Sequence, residues 1–329
     1  MESLYAFALT NAGSEKALKL EVESMKTGWR PGYQRRGFVT FKAPQENHPF
    51  SLAALNEAAP ALARRLCLSR GKTATIDEAM ALLEDVPVIH HVRLTGGRME
   101  RISSNGDPVP GKTAGTIVEL GPDEFWTGVH LHGPYLSPDP GGLSIQLLPD
   151  NAPSRAWLKL EEAARFFGLT FSRRDVVVEL GCAPGGVILA LLDRGVSSIG
   201  VDPARLAPVV MAAAVPSVQE APPGKPWVFH CQKPAALVSK RDLGGIATWF
   251  MSDMNQSPDV ALKECGRFIK MCPSIRSALI TLKLTDLNQV VAKAEWFQAL
   301  KGMGFKTVRL QQLSVHNREL ALLALNRQG

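Results

Sequence analysis

The sequence predicts an α/β fold: a Rossmann-like, mostly parallel sheet with an antiparallel last strand in the C-terminal half, preceded by smaller α+β modules. Three observations predict it. From Asn151 onward, short apolar runs alternate with helix-length segments, the rhythm of a parallel sheet covered on both faces. A glycine-rich turn, ELGCAPGGV (Glu179 to Val187), stands between one such run and a helical segment. The last two runs are joined only by SVHNRE, too short for a crossover helix, so these strands are expected to pair antiparallel.

Taken in order, the C-terminal strands are expected at 175–180, 197–202, 227–231, 247–253, 278–284, 306–313 and 320–326. Helices are expected at Arg155 to Gly168, Gly185 to Arg194, Arg205 to Ala214, Pro258 to Cys272 and Asn288 to Met303. Before them, LYAFALTNAG alternates as a strand and a helix opens at Ser14. RRGFVTFKA (Arg35 to Ala43), HHVRLTG and GTIVELG read as further strands. The Ala- and Leu-rich stretch Ser51 to Leu68 reads as a helix carrying Arg64 and Arg65 near its end. His132 to Ser144 is rich in Pro and Gly and reads as a crossover. A boundary near Leu147 therefore separates an N-terminal region, 1–146, divisible into 1–45 and 46–146, from a C-terminal domain, 147–329.

Composition narrows the function. No apolar run approaches the roughly 20 residues of a membrane-spanning helix, and the N-terminal MESLYAFALTNAG lacks the basic leader and greasy core of a signal peptide. A cytoplasmic protein with no membrane partner is expected. Five scattered cysteines form no CxxC pair, so neither a disulfide framework nor a metal site is expected. Residues 1–150 hold 15 Lys/Arg and 17 Asp/Glu, a net of −2, whereas residues 151–329 hold 22 and 14, a net of +8. The basic excess lies wholly in the C-terminal half, which suits a polyanionic partner.

The turn after the first C-terminal strand is the position where open α/β sheets bind nucleotide ligands. Gly181 permits a tight turn, and Gly185 and Gly186 permit close approach without a Cβ. The helix that follows offers free N–H groups to a carboxylate. Asp202 ends the next strand about 20 residues on, where a carboxylate can accept ribose hydroxyls. The loop has neither the GKS/GKT of a phosphate-binding loop nor GxGxxG. An acidic residue, LG and then APGG select S-adenosylmethionine, with Glu179, Gly181, Cys182, Ala183, Pro184, Gly185, Gly186, Asp202 and Asp253 as the cofactor-binding set.

NAPSRAWLKLEEA, ELGCAPGG, MSDMNQSP, LITLKL and HNRELALLAL, in this order, resemble the FtsJ-type ribose 2′-O-methyltransferases, and within them the ribosomal RNA large subunit methyltransferase M family. The resemblance covers nearly all of residues 120–329 and, more loosely, an N-terminal region that in this family is THUMP-bearing. It implies a Lys–Asp–Lys–Glu tetrad, which falls here on Lys159, Asp253, Lys283 and Glu319. It further implies S-adenosylmethionine-dependent 2′-O-methylation of RNA, large-subunit ribosomal RNA in particular. Only RNA carries that hydroxyl.

A free lysine, with a pKa of ~10.4, is protonated at neutral pH. A neighbouring ammonium and partial burial lower that value. Lys283 is therefore expected to be the general base, with Lys159 orienting the 2′-oxygen and depressing the pKa of Lys283. Asp253 and Glu319 are expected to hold the two lysines. Arg35, Arg36, Arg64, Arg65 and Arg155 are the candidate RNA contacts, with a further cluster at Arg93, Arg98 and Arg101.

The chain departs from the family pattern at three places. Glu179 stands for the usual Asp, Val187 for the usual Trp, and Gln232–Lys233 where an acidic residue contacts the adenine side. Two rival expectations are an RNA base methyltransferase and a non-catalytic RNA-binding factor on a methyltransferase fold. DMNQSP in place of an NPPY-like loop argues against the first, and the full tetrad against the second.

Overall fold

The structure is a computed structural model that describes residues 1–45 and 47–328. The chain divides into two compact units. The first comprises Met1–Ile145 together with Arg165–Gly168 and Gln311–Asn317, and the second comprises Gln146–Ala164, Leu169–Leu310 and the residues from Arg318 onward.

The first unit is built on one eight-stranded sheet. Its strands are β1 (Tyr5–Leu9), β2 (Arg30–Arg35), β3 (Phe38–Lys42), β4 (Arg65–Thr73), β5 (Ile89–Thr95), β6 (Arg98–Ser104), β7 (Thr113–Gly121) and β8 (Glu124–Leu131), in the spatial order β2-β3-β1-β4-β8-β7-β5-β6. Helices α1 (Glu15–Ser24), α2 (Leu52–Ala58) and α3 (Ile76–Ala81) accompany it. Phe7, Leu9, Phe38, Cys67, Val92, Leu94 and Val118 form a buried cluster on one face, with Trp126 packed against it. Each large apolar side chain there contributes about 1.5–3 kcal/mol of burial. Residues from β3 and β5 meet in this one cluster although other strands lie between them in the sheet, so the sheet curls over it. The same curl brings the turn after β2 onto the turn after β5, where a Cβ on Gly97 would stand 2.6 Å from Cδ of Arg36.

One sequence expectation fails here. The stretch Ser51 to Leu68 is not a single helix: α2 stops at Ala58, Ala59 turns left-handed ahead of Pro60, and β4 begins at Arg65. Proline cannot continue the hydrogen-bond ladder and pushes its predecessor out of the helical region. The following LCLS then takes its place in the sheet beside β1 and β8.

The second unit is a doubly wound sheet. In chain order it contains α4 (Ala156–Phe167), β9 (Val176–Leu180), α5 (Gly186–Asp193), β10 (Ser197–Val201), α6 (Pro208–Met211) and β11 (Val228–Cys231). There follow α7 (Lys240–Leu243), β12 (Trp249–Ser252), α8 (Pro258–Met271), β13 (Ser277–Lys283), α9 (Lys293–Gly302), β14 (Thr307–Gln311) and β15 (Glu319–Leu325). The spatial order is β11-β10-β9-β12-β13-β15-β14. The first five strands pair parallel, and β15 runs antiparallel to β13. This is the Rossmann-like sheet with an antiparallel last strand that the apolar rhythm predicts.

All seven expected strands are present. Two helices differ. The segment 205–214 yields only α6, because Ala207 is extended before Pro208, and the segment 288–303 divides into a 3₁₀ turn at Leu287–Ala292 and α9. The order reverses at β9, so the crevice for a ligand opens beyond the C-terminal ends of β9, β10 and β12. Among the described residues no helix is long and apolar enough to cross a membrane.

Candidate active site

Five elements of the second unit deliver the site. Lys159 lies near the start of α4, Asp253 directly follows β12, Lys283 ends β13, Glu319 opens β15 and the glycine loop follows β9. The antiparallel register pairs Lys283 with Glu319 directly. The main chain at Asp253 is fixed by its N–H donating to Leu180 O at 3.0 Å, which ties the end of β12 to β9.

The four side chains close into a ring in which ammonium and carboxylate alternate. Lys159 Nζ lies 3.0 Å from Asp253 Oδ2 and 3.0 Å from Glu319 Oε2. Lys283 Nζ lies 2.7 Å from Asp253 Oδ1 and 2.5 Å from Glu319 Oε1. All four side chains are between 14% and 21% exposed, so the ring is partly buried yet reachable from solvent. Its formal charge is zero.

Burial alone pulls the Lys283 pKa down, but the charge of Asp253 and hydrogen bonds to Asp253 and Glu319 outweigh it, and the net shift is upward. Burial pushes Glu319 up, while Lys283 and Lys159 pull it further down. The expected depression of the Lys283 pKa is therefore corrected. Two carboxylates grip this ammonium, and their attraction exceeds the cost of desolvation.

The glycine loop is built for close contacts. Gly181 has φ +75°, and a Cβ there would stand 3.0 Å from N and Cα of Met254, so the glycine admits the chain that carries Asp253. At Gly186 a Cβ would lie 2.3 Å from Ser154 Oγ and 2.8 Å from Trp157 N. Here the missing side chain admits the start of α4, which sets where Lys159 sits. Asp202 is anchored by two backbone N–H donors, Ala183 to Oδ2 at 3.1 Å and Ala204 to Oδ1 at 2.8 Å. Cys182 is buried, and burial raises its thiol pKa far beyond the ordinary range, which keeps it a neutral packing group. Ala183 and Pro184 are more open, Pro184 being exposed.

Glu179 is the strained member of the loop. It is 2% exposed, and its Oε2 has no hydrogen-bond partner among the described residues. Burial first, then the charges of Asp253 and Asp202, push its carboxyl well above the usual carboxylate range. Such a group is relieved by a positively charged ligand.

Beyond the loop, Gln232 donates its amide to Pro203 O at 3.2 Å, and Lys233 pairs with Asp242 at 2.6 Å. Among the described residues no group of three or more His, Cys, Asp or Glu could hold a metal ion.

The candidate RNA contacts divide sharply. Arg155 is exposed one turn before Lys159, and Arg35 and Arg36 are exposed in the first unit. Arg64 and Arg65 are 4% and 1% exposed, which withdraws them as surface contacts. The Arg65 guanidinium donates to Ser137 O at 2.7 Å and Asp139 O at 2.9 Å, and meets His130 Nε2 at 2.9 Å. Arg65 opens a central strand and Arg64 stands just before it, instead of the two lining the end of a helix. Sequence pattern does not single out Tyr33 and Trp126, which stack at 5.9 Å from β2 and β8, strands that no alternation announces.

Comparison with known proteins bears out the resemblance. Residues 152–221 match the model of the FtsJ-like methyltransferase family. The chain is 35% identical over 94 residues to a ribosomal RNA large subunit methyltransferase M of Halorhodospira halophila, covering 28% of this chain and 24% of that protein. It is 39% identical over 82 residues to the protein of the same name from Marinobacter nauticus, covering 23% of each. With that of Azoarcus sp. it shares 28% identity over 194 residues, 56% of this chain and 48% of the relative. The chain thus spans less than half the length of these curated relatives. The segment that carries Lys159, the glycine loop and Asp202 is thus the part of this chain that is similar to the FtsJ-like methyltransferases.

Proposed function

We propose that the protein is an S-adenosylmethionine-dependent methyltransferase that modifies a ribose 2′-hydroxyl of RNA, with large-subunit ribosomal RNA in the cytoplasm as its substrate. The observation that carries this is the closed ring of Lys159, Asp253, Lys283 and Glu319 beside a glycine loop. Residues 147–329 form the catalytic domain in this reading. Residues 1–146, with a THUMP-like character, capture the RNA through Arg35 and Arg36, and Arg155 meets phosphate next to the reacting ribose.

The loop suits the cofactor on its own chemistry. Glu179 holds an unpartnered buried carboxyl where a ligand ammonium would restore its charge. Asp202 keeps lone pairs for ribose hydroxyls beyond its two backbone bonds, and Gly181, Cys182, Ala183, Pro184, Gly185 and Gly186 wall the turn. S-adenosylmethionine, when bound, supplies a sulfonium methyl to an attacking oxygen.

The remaining work belongs to the ring. A ribose hydroxyl is a very weak acid, so its oxygen must be oriented and its proton removed as the new bond forms. Lys159 donates to the 2′-oxygen and orients it, and Lys283 takes the proton. An oxygen entering between the ammonium groups displaces the carboxylates from them. As each carboxylate moves off, the Lys283 pKa falls, the ammonium releases one proton to solvent, and the neutral amine then accepts the hydroxyl proton. Asp253 and Glu319 fix both lysines until then and neutralise the charge afterwards.

The test is incubation of the protein with unmodified ribosomal RNA and methyl-labelled cofactor, followed by nuclease digestion. Label in a nuclease-resistant dinucleotide is expected. Label on a base would move the assignment to a base methyltransferase, and cofactor binding without transfer to RNA would remove RNA as the acceptor.

A further inference from the structure

The mouth of the curled sheet in the first unit holds a concavity of about 680 Å³ that the catalytic reading leaves unused. Three arginines from two parts of the sheet reach it: the consecutive Arg35 and Arg36, at the end of β2 and in the turn after it, and Arg93 from β5. Gly96, Gly97 and Gly121 complete much of the rest. A Cβ on Gly96 would meet nothing within 4 Å, so the main chain there is open to a close ligand.

The carboxylates at the site are also defined. Glu119 accepts from Arg93 Nε at 2.7 Å and lies 3.3 Å from His91 Nε2. Glu124 accepts from Arg35 at 2.7 Å and from Lys72 at 3.1 Å. Arg36 makes no ion pair among the described residues. One guanidinium is therefore free, and two are held in place by single carboxylates with donors to spare.

Beside Arg35 stands an aromatic surface. Tyr33 is 38% exposed and stacks on Trp126 with an interplanar angle of 14°. Its hydroxyl accepts from Arg35 Nε at 2.5 Å. A small apolar ligand would want an enclosed greasy cavity, and this site is open, cationic and glycine-walled. Guanidinium groups next to an exposed aromatic face are the elements that hold single-stranded nucleic acid, phosphates on the arginines and bases on the ring.

We infer that the Arg35, Arg36 and Arg93 concavity, with Tyr33 at its side, is a docking site for an unpaired RNA strand. This deepens the reading of the protein as an RNA enzyme and rests on it for the identity of the RNA. Binding and catalysis are nevertheless measured separately.

The experiment uses the full chain and an unpaired oligoribonucleotide of about a dozen nucleotides, a length within the site sizes known for such surfaces. Affinity is followed by fluorescence anisotropy over a salt series. Each phosphate contact on a single strand adds about 0.7 to the slope of log K against log salt, so Arg36→Ala with Arg93→Ala should flatten it by about 1.4. Tyr33→Ala should weaken binding roughly 5- to 150-fold, as removal of one stacked base does, and Tyr33→Phe should restore it. Circular dichroism and S-adenosylmethionine calorimetry confirm that the variants are folded in both units. A parent protein that does not bind the strand, or variants with the parent's affinity and slope, would overturn the site. Strand binding abolished in the variants, in a parent protein that methylates no RNA, would uphold the site and reject the enzymatic reading.

Discussion

Lys283 and Glu319 are direct register partners across β13 and β15, with Nζ of one 2.5 Å from Oε1 of the other. The antiparallel strand therefore does more than close the sheet: it brings the fourth member of the ring to the third. A slip of one residue in β15 would turn Glu319 to the other face. Because β12 sits beside β13 and carries Asp253 at its end, one local registry fixes three of the four groups. The remaining one, Lys159, arrives from α4 through the close approach that Gly186 permits.

Replacing Lys283 by Met keeps the length and apolar stem of the side chain and removes the ammonium. In the proposed chemistry this should lower methyl transfer by about 10²–10⁴-fold, the usual worth of a positioned proton acceptor. S-adenosylmethionine affinity should stay within a few fold, since Lys283 is not part of the loop. Labelled-methyl transfer and calorimetry on the same preparation check both halves. Transfer at the parent rate with normal cofactor binding would remove Lys283 from the mechanism.

The pH dependence has a defined sign. The raised pKa of Lys283 gives a stabilising contribution that is full below about 10.4 and is lost as pH rises through the higher folded value. The lowered pKa of Glu319 gives one that is full above about 4.3 and is lost as pH falls through the lower folded value. The ring is thus held throughout the neutral range, with Lys283 protonated. If Lys283 is the acceptor, log kcat/KM should climb by about one per pH unit between about pH 7 and 9. A flat profile over that range would assign the proton to a carboxylate.

How much of this is legible in the sequence depends on what each pattern reports. The apolar runs mark β9 to β15 because those strands are buried and each run is the strand itself. Three members of the ring sit at strand ends, where a charge beside an apolar run is conspicuous, as at Asp253 and Lys283. Arg64 and Arg65 read as surface charges because charge in a sequence carries no record of burial. A guanidinium with three internal partners looks, in a string, the same as one in water. Tyr33 and Trp126 escape notice because β2 is exposed along its whole length and shows no alternation to read. The pKa of Lys283 reads with the wrong sign because composition supplies the charges but not their distances.

The buried role of Arg65 makes a separate prediction. Arg65→Ala strips partners from His130 and from the carbonyls of Ser137 and Asp139, and should cost on the order of 3 kcal/mol in urea unfolding of the first unit. Arg36→Ala, on the surface, should stay within about 0.5 kcal/mol of the parent. Equal stability for the two variants would contradict the structural role given to Arg65.

Glu179 offers the sharpest test of the loop. Its folded pKa is raised, so the folded chain holds that proton more tightly than the unfolded chain does. Stability of the cofactor-free protein should therefore fall as pH rises from about 4.3 toward the raised value. Glu179→Gln keeps the shape and cannot ionise, which removes that slope. At neutral pH the variant should melt at or above the parent temperature. Its affinity for S-adenosylmethionine should drop about 10- to 100-fold, the worth of a charge-assisted hydrogen bond at a buried site. Thermal melts between about pH 5 and 8 and calorimetry of cofactor binding give the two numbers. A variant that melts lower while binding the cofactor normally would make Glu179 a packing residue of β9 and leave the loop without its cation-binding group.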